Sequence, residues 1–529
     1  MLATEIQAPA KIREVPAGTA PEIVKRIIDE DGGVIISTQQ CTSTQQCSEP
    51  QENDKQERAM VNTNGFAPTT YDADVIVIGA GISGSAAAKS LHDQGVEVLI
   101  VEANDRIGGR TWTEPEGMPG GALDKGGMFI GETHKHLIEL GTSLGLEMTP
   151  SGKPGDDTYM MLGNVHRAPD EKLDPSLLFT AEYEASLEAL DALADRVGYE
   201  EPWASPDAAE LDSKTVATWI EESFEHPEVK RLHTLFVNVF LGADASEVSL
   251  LYWAYYVSEC EGVAQLMGTR DGAQWAWWVG GAAQVSWRIA DAIGREKVLL
   301  NWPVTRIAQD DDGITVFSGE RSLRARNVII AMAPIAANQI RFEPALPTSR
   351  AQLQARAPMG RYFKIQARYP STFWVEQGNS GALVDTDDMG VFVLDGTKPM
   401  DSLSALIGFV GGTHYDRWSA KSPEERKQGF IDVLVKAFGP QAAEPSYYHE
   451  TNWTEQEWAR GGPVTYMPTG VMSNFGAALR DPIGRIHFAG TEASYQWSGY
   501  MEGGVRAGQK AAAAIAQEIL AGSAREGER

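Results

Sequence analysis

The stretch YDADVIVIGAGISGSAAAKSLHDQGVEVLIVEAN, residues 71–104, gives the strongest indication of the fold of this chain. It reads as an apolar strand, a glycine-rich turn, an Ala-rich helix and a second apolar strand. Gly79, Gly81 and Gly84 form a G-x-G-x-x-G pattern between the first strand and the helix. The pattern predicts a βαβ unit of the doubly wound type, with a pyrophosphate at the helix N-terminus.

Each residue of this motif has an expected role. Gly79 makes the tight turn, Gly81 lets the backbone approach a pyrophosphate, and Gly84 lets the helix pack on the strand. Glu102 ends the second strand, where its carboxylate can accept hydrogen bonds from ribose hydroxyls. This context favours a dinucleotide site over a structural turn, but the motif does not separate nicotinamide from flavin dinucleotides.

Two further stretches point to the same ligand. Directly after Glu102 comes the run ANDRIGGRTWT. Its adjacent glycines, Gly108 and Gly109, allow a second close backbone approach, and the positive charges of Arg106 and Arg110 suit a pyrophosphate. Near the other end of the chain, residues 487–515 again read as strand, Gly-broken turn and Ala-rich helix. An extended dinucleotide can be held by both loops at once.

Chain length, net charge and cysteine content limit the class of protein that this chain can be. With 529 residues the chain is longer than a single hydrophobic core usually supports, so at least two domains are expected. The 45 basic and 73 acidic residues give a net charge of −28, which disfavours nucleic acid and anionic membranes as partners. No long apolar run or signal peptide is visible, and three cysteines cannot form a disulfide framework. A soluble, cytoplasmic protein is expected.

Residues 1–70 differ from the rest and read as an N-terminal arm and polar linker. Residues 21–37 predict a short amphipathic helix, a Gly turn and a short strand. The Gln-rich segment that follows contains Cys41 and Cys47, which have no further ligand nearby, and no histidine pair elsewhere has metal-binding spacing, so no metal site is predicted.

Further along, residues 180–198 and 421–437 predict long helices, and residues 301–332 predict a meander with an Asp-Asp-Gly turn. The aromatic stretches at 250–262 and 274–281 fit either a substrate channel or a packed core.

The motifs together resemble those of flavin-containing monoamine and polyamine oxidases, from about Tyr71 to the chain end. The GGR run and residues 484–508 carry the resemblance most clearly, with further matching segments at 126–146, 300–307 and 358–374. It implies an α/β fold in which an FAD-binding doubly wound, Rossmann-like domain holds an inserted α+β substrate domain. The expected FAD-binding parts are residues 71–150, 281–345 and 456–529, and the expected substrate-domain parts are residues 151–280 and 346–455.

The resemblance also assigns cofactor residues. Glu492 falls at a flavin-contacting position, the Met501 backbone at the flavin pyrimidine edge, and the Val304 backbone at the adenine. The full expected FAD-binding set is Gly79, Gly81, Gly84, Glu102, Arg106, Gly109, Arg110, Val304, Gly490, Glu492 and Met501.

Lys364 and Tyr500 are the expected catalytic residues. From the sequence alone, Lys364 in an apolar strand is either a sheet-edge charge or a buried functional group. The resemblance implies that it holds a water near flavin N5 and assists reaction with oxygen, a role suited to a desolvated lysine. Tyr500 matches one wall of an aromatic cage that receives the amine.

One departure from the family pattern concerns the flavin and the cage. Pro463 stands where members with covalent flavin have a cysteine, so a noncovalent FAD of the fungal type is expected. The second cage position is Val464, with Tyr466 as an alternative. A half-open cage favours a bulky or long-chain amine, including a fumonisin-like amino-polyol.

The resemblance implies oxidation of a primary amine to an imine and then an aldehyde, with ammonia and hydrogen peroxide as products. The expected partners are the amine, O2 and further copies of the chain, as a dimer or tetramer. The alternatives are a polyamine oxidase, an L-amino-acid oxidase using Arg361, and a noncatalytic flavin scaffold, against which Lys364 argues. A nicotinamide dehydrogenase is disfavoured by the C-terminal motif.

Overall fold

The computed structural model describes residues 23–28, 34–39, 71–114, 121–169, 173 and 175–527. Over these residues the strands are β1 (Ile23–Ile28), β2 (Val34–Gln39), β3 (Ala73–Ile78), β4 (Val98–Val101), β5 (Thr113–Glu114), β6 (Leu123–Asp124), β7 (Phe129–Ile130), β8 (Met148–Pro150), β9 (Asp156–Met161), β10 (Asn164–Ala168), β11 (Ala276–Trp278), β12 (Val298–Leu299), β13 (Arg306–Gln309), β14 (Ile314–Ser318), β15 (Arg321–Ile330), β16 (Arg341–Glu343), β17 (Tyr362–Tyr369), β18 (Asn379–Asp385), β19 (Phe392–Asp395), β20 (Ser404–Gly411), β21 (Tyr447–Asn452) and β22 (Ile486–Phe488).

The helices of the described residues are α1 (Ile82–His92), α2 (Lys135–Ser143), α3 (Thr180–Val197), α4 (Ala208–Ser213), α5 (Val216–Ser223), α6 (Pro227–Leu241), α7 (Leu250–Glu259), α8 (Val263–Met267), α9 (Gln284–Ile293), α10 (Pro334–Ala337), α11 (Thr348–Arg356), α12 (Phe373–Glu376), α13 (Gly412–Ser419), α14 (Pro423–Phe438), α15 (Met472–Phe475) and α16 (Met501–Gly527). The long helices expected from the sequence are confirmed as α3 and α14, and the meander as β13–β15. Within the described ranges, no helix is both long and apolar enough to cross a bilayer.

The chain separates into two units, Met1–Pro68 and Thr69–Arg529. In the first unit, β1 and β2 pair as an antiparallel ribbon. The helix predicted at the start of residues 21–37 is therefore wrong, and the strand predicted after it is confirmed. The run IVKRII is rich in β-branched residues, which favour extended backbone. Cys41 and Cys47 lie outside the described residues.

The first large sheet brings the two glycine-rich motifs to one edge. Its order is β12-β4-β3-β15-β14-β13-β16, and β22 pairs with the end of β15. Ile330 is the parallel partner of Ile78 in β3 and also of Phe488 in β22. Because the carboxyl ends of parallel strands share an edge, the loops after Ile78 and Phe488 open on the same side.

The helices behind these loops pack closely through small residues. A Cβ on Gly504, in the first turn of α16, would stand 2.9 Å from the Ser83 hydroxyl oxygen in the first turn of α1. This close approach places the first turns of α1 and α16 side by side, so both motifs contribute to one site.

The second large sheet has the order β10-β9-β18-β19-β20-β17-β21. Strand β17 is internal, antiparallel to both β20 and β21, and all eight of its residues are buried. Its position excludes the sheet-edge interpretation of Lys364. Helices α3 to α8 pack into a separate apolar core that includes most of the aromatic stretch at 250–262.

Candidate active site

One cavity of about 540 Å³ runs from the glycine-rich turn after β3 to the middle of β17. Of the residues singled out in the sequence, it is lined by Gly79, Gly81, Glu102, Arg106, Gly109, Arg110, Val304, Lys364, Gly490, Tyr500 and Met501. Gly84 and Glu492 do not line it. The two glycine-rich motifs thus contribute to a single site.

The three motif glycines serve different needs. A Cβ on Gly84 would stand 1.9 Å from the Gly79 carbonyl oxygen, so helix α1 could not pack on its strand. Gly79 has φ +106, which favours glycine. At Gly81 the nearest protein atoms to a Cβ are 3.8 Å away, so protein packing does not require glycine there. The open space at Gly81 faces the cavity, as a group lying against the backbone requires.

Glu102 borders the end of the cavity next to the glycine-rich turn. Its carboxylate accepts hydrogen bonds from the Ala80 amide at 2.7 Å and from the Asn104 amide at 2.8 Å. The side chain therefore ties the glycine-rich turn to the end of β4. It remains at the cavity wall, where a ribose can reach it.

The paired-glycine run lies directly against the first turn. A Cβ on Gly109, which has φ +57, would come within 3.2 Å of the Gly81 Cα. Arg106 donates to the Gly109 carbonyl at 3.0 Å, and its guanidinium lies 4.3 Å from the centre of the Trp112 ring. Both contacts hold the arginine beside the cavity, where its charge suits a pyrophosphate.

Glu492 does not line the cavity itself but contacts Arg110, which does. Its carboxylate forms an ion pair with Arg110 at 3.1 Å and accepts a hydrogen bond from the Thr465 hydroxyl at 3.2 Å. Among the described residues, no donor reaches its second oxygen, Oε2, which is buried. The predicted flavin contact of Glu492 stays a prediction, and its ion-pair partner Arg110 lines the cavity.

Lys364 is buried in the cavity wall, with only 3% of its surface exposed. Its ammonium donates to the Gly126 carbonyl at 2.7 Å and contacts the Met128 sulfur at 3.1 Å. Burial lowers the pKa of Lys364 to about 7, against a smaller opposing effect of the Asp124 carboxylate. The group therefore changes charge near neutral pH, which an exposed lysine does not.

A buried ion pair stands behind this lysine. Lys398 lies 2.5 Å from the Asp124 carboxylate, and both side chains are less than 5% exposed. The Lys398 charge lowers the pKa of Lys364 and offsets part of the attraction of Asp124.

A group of aromatic side chains begins beside Lys364 on the cavity side. The Phe409 ring centre lies 5.9 Å from the Lys364 ammonium. Phe409 in turn lies within 6.3 Å, ring centre to ring centre, of three other rings. We call these four cavity-lining residues the aromatic wall: Phe129, Tyr362, Phe392 and Phe409.

Tyr500 and Val464 occupy the two predicted cage positions. Both line the cavity. Val464 packs against the backbone of Gly499, where an added Cβ would meet its side chain at 2.4 Å. Tyr466 is buried in the helical core and does not line the cavity, so it does not replace the missing second ring.

Sequence reasoning missed two rings beside Tyr500. His134 lies with its ring centre 5.7 Å from that of Tyr500, and burial lowers the pKa of His134 to about 3, so the imidazole is neutral. Tyr256 of α7 lines the cavity. The aromatic composition of residues 250–262 was the available signal, but nothing in it separates Tyr256 from its buried neighbours.

Arg361, the residue that an amino-acid oxidase would need, is engaged elsewhere. Its guanidinium pairs with Glu247 at 2.9 Å and with Asp416 at 3.0 Å, and it does not line the cavity. In the part of the chain that the structure describes, no cluster of three or more His, Cys, Asp or Glu side chains is arranged to hold a metal.

This fold and site define a flavoprotein of the amine-oxidising class. The sequence model of the flavin containing amine oxidoreductases matches residues 82–516, and the chain belongs to that family. The α/β fold and the flavin cofactor inferred from the sequence are thereby confirmed.

Individual relatives span nearly the whole globular part. Flavin-containing amine oxidase A of Sus scrofa is 36% identical over 450 residues, 84% of each chain. The structure of cyclohexylamine oxidase from Brevibacterium oxydans IH-35A superposes with a TM-score of 0.84 and 77% identity, covering 85% of this chain and 100% of that one. Wild-type putrescine oxidase bound to putrescine has a TM-score of 0.80 and 31% identity, covering 84% and 98%.

Proposed function

We propose that the chain is an FAD-dependent oxidase of compact cyclic primary amines, with cyclohexylamine as the reference substrate. The balanced reaction is amine plus O2 plus water to ketone, ammonia and hydrogen peroxide. The observation that carries the proposal is the aromatic wall around Lys364, which offers an apolar ring a matching surface. The 77% identity to cyclohexylamine oxidase along that enzyme's full length supports the same substrate class.

One group of residues orients the amine, and Lys364 holds a water beside it. Tyr500 and the aromatic wall hold the alkyl ring and exclude water from it. Lys364, with its pKa near 7, holds a water at the cavity wall through an ammonium or amine that is itself anchored on Gly126. The bound flavin supplies the two-electron oxidation of the carbon–nitrogen bond and the return of the electrons to O2.

The FAD is proposed to be noncovalent. Pro463, which lines the cavity, offers no nucleophile for attachment. Cys260, the cysteine within the described residues, directly follows α7. Its side chain is fully buried and does not line the cavity. Precipitation with acid should therefore leave the yellow colour in the supernatant.

The alternatives fit the described cavity less well. A diamine needs an anion for its second ammonium. The two carboxylates of the lining are Glu102, which already accepts hydrogen bonds from two backbone amides, and Glu457, which is exposed to solvent. An amino acid needs a free cation, and Arg361 already binds two carboxylates. A long-chain amine remains an alternative that the open cage position at Val464 favours.

The test is a peroxide-coupled panel with the purified protein. We expect cyclohexylamine to give a higher kcat/KM than benzylamine, putrescine, a long-chain alkylamine or L-leucine. A preference for putrescine or L-leucine would replace the proposal with the corresponding alternative, and no peroxide from any of them would favour a scaffold. A homo-oligomer and a cytoplasmic location remain predictions, the first testable by light scattering.

A further inference from the structure

Glu259, the last residue of α7, is a buried acid that the proposed chemistry does not use. Its Oε2 accepts a hydrogen bond from the Tyr255 hydroxyl at 2.8 Å, and its Oε1 is buried without a hydrogen-bond partner among the described residues. Its main-chain carbonyl oxygen accepts a hydrogen bond from the Trp497 amide at 3.2 Å. The main chain of Glu259 therefore holds this short segment directly, and its carboxyl group faces the Ser498 backbone amide of the same segment.

That segment is the turn that carries Tyr500. Trp497 has φ +59 and Gly499 has φ +84, so two of the three residues of the turn, 497–499, have left-handed backbone conformation. This conformation is unfavourable for tryptophan and persists only where surrounding contacts impose it. The Tyr500 amide donates to the Trp497 carbonyl at 3.0 Å, and the two rings meet edge to face with centres 5.1 Å apart. The position of the Tyr500 ring thus follows that of Trp497.

The acid acts in its neutral form. Burial raises the pKa of Glu259 to about 8, so the carboxyl is protonated at neutral pH. The nearest cation, Arg480, donates to the Tyr255 hydroxyl at 3.2 Å. A neutral carboxyl can lie against the Ser498 amide of the turn without placing an unpaired charge in the core.

We propose that Glu259 is a positioning residue that holds the Trp497–Gly499 turn and thereby sets the Tyr500 ring in the cavity wall. The inference rests on the proposed function, because Tyr500 is assigned there to orient the amine. Glu259 does not itself line the cavity and touches neither amine nor flavin.

The test compares Glu259→Gln with Glu259→Leu. Glutamine keeps a neutral planar acceptor, so we expect its KM for cyclohexylamine to stay within about twofold of wild type. Leucine removes the acceptor, and we expect KM to rise about tenfold or more while kcat falls less, since Lys364 and the flavin keep their places. Flavin content, read from absorbance, should be unchanged in both variants.

A readout independent of turnover is the change in flavin absorbance on titration with cyclohexanone. Binding should weaken in Glu259→Leu and be restored in Glu259→Gln. If Glu259→Leu fails to fold, Tyr255→Phe removes the hydrogen bond that orients the Glu259 carboxyl and should raise KM in the same direction by a smaller factor. Glu228→Leu is the matched control, because Glu228 is equally buried but does not line the cavity or contact the turn.

Two results would overturn the inference: a wild-type KM and cyclohexanone affinity in Glu259→Leu, or a Glu259→Gln variant as impaired as Glu259→Leu. Wild-type protein that oxidises no cyclic amine would instead contradict the proposed function. In that event, the cyclohexanone titration still decides the role of Glu259.

Discussion

The Lys364 ammonium lies 2.7 Å from the Gly126 carbonyl oxygen, and this contact is the first of three of the same kind. Two residues further along β17, Gln366 donates to the Asp124 carbonyl at 2.7 Å, and after two more Arg368 donates to the Ala122 carbonyl at 3.0 Å. Alternate side chains of one strand thus bind alternate carbonyls of a neighbouring segment, as the two-residue period of a strand allows. The array fixes the ammonium without using an acid as its direct partner.

Replacing this lysine should separate binding from reaction with oxygen. We expect Lys364→Met to bind flavin normally and to slow reoxidation of the reduced flavin by about a hundredfold, because the anchored polar group at the cavity wall is lost. Stopped-flow mixing of reduced enzyme with O2 measures this rate. The exposed Lys421, replaced by methionine, is the control. Reoxidation of Lys364→Met at the wild-type rate would remove Lys364 from the account.

The same lysine predicts how stability depends on pH. Its pKa is about 7 in the folded protein against an ordinary value of 10.5. Between these values the unfolded chain binds more protons, so the free energy of unfolding rises with pH, by at most about 1.4 kcal/mol per pH unit from this group. The thermal midpoint of flavin-free wild type, relative to Lys364→Met, should therefore rise from about pH 7 to about pH 9. A flat or falling difference would show that the lysine is not desolvated.

The motif glycines offer a matched pair of variants. Gly84→Ala places a methyl group against the Gly79 carbonyl and should destabilise the flavin-free protein by roughly 1–3 kcal/mol or more. Gly81→Ala meets no protein atom closer than 3.8 Å and should melt like wild type, yet bind FAD at least about tenfold more weakly. Thermal melting and FAD titration measure the two effects. Equal FAD affinity in Gly81→Ala and wild type would contradict the proposed phosphate contact.

The open cage position should govern the size of the amine accepted. In Val464→Tyr a larger ring enters the cavity beside Gly499, and we expect kcat/KM for cyclohexylamine to fall about tenfold or more while that for propylamine changes little. Val464→Ala, which adds no ring and no polar group, is the control. Flavin content shows whether the site survives. Equal losses for both amines would mean that Val464 does not border the substrate.

Much of the site could be predicted because its signals are local. The turn at Gly79 and the C-terminal motif around Met501 each consist of contiguous residues. The segment containing Lys364 likewise matches the family pattern on its own. The sequence did not show why the two motifs meet. The answer is the parallel pairing of Ile330 with both Ile78 and Phe488, a contact between residues far apart in the chain.

The failures have physical causes too. The predicted helix near Ile23 is a strand because β-branched content outweighed the helical spacing. The ion pair of Glu492 with Arg110 joins residues far apart in the chain, so no local pattern could predict it, and the flavin contact expected of Glu492 stays a prediction. The burial of His134 and Glu259 depends on tertiary packing around Trp497, for which the sequence has no local pattern.

The most direct test of the central claim is anaerobic mixing of the purified flavoprotein with cyclohexylamine, followed by absorbance. We expect complete bleaching of the oxidised flavin in one phase whose rate saturates with amine concentration. The yellow colour should return with one equivalent of peroxide when O2 is admitted. Flavin that stays oxidised at saturating cyclohexylamine, in a protein that retains its full flavin content, would contradict it.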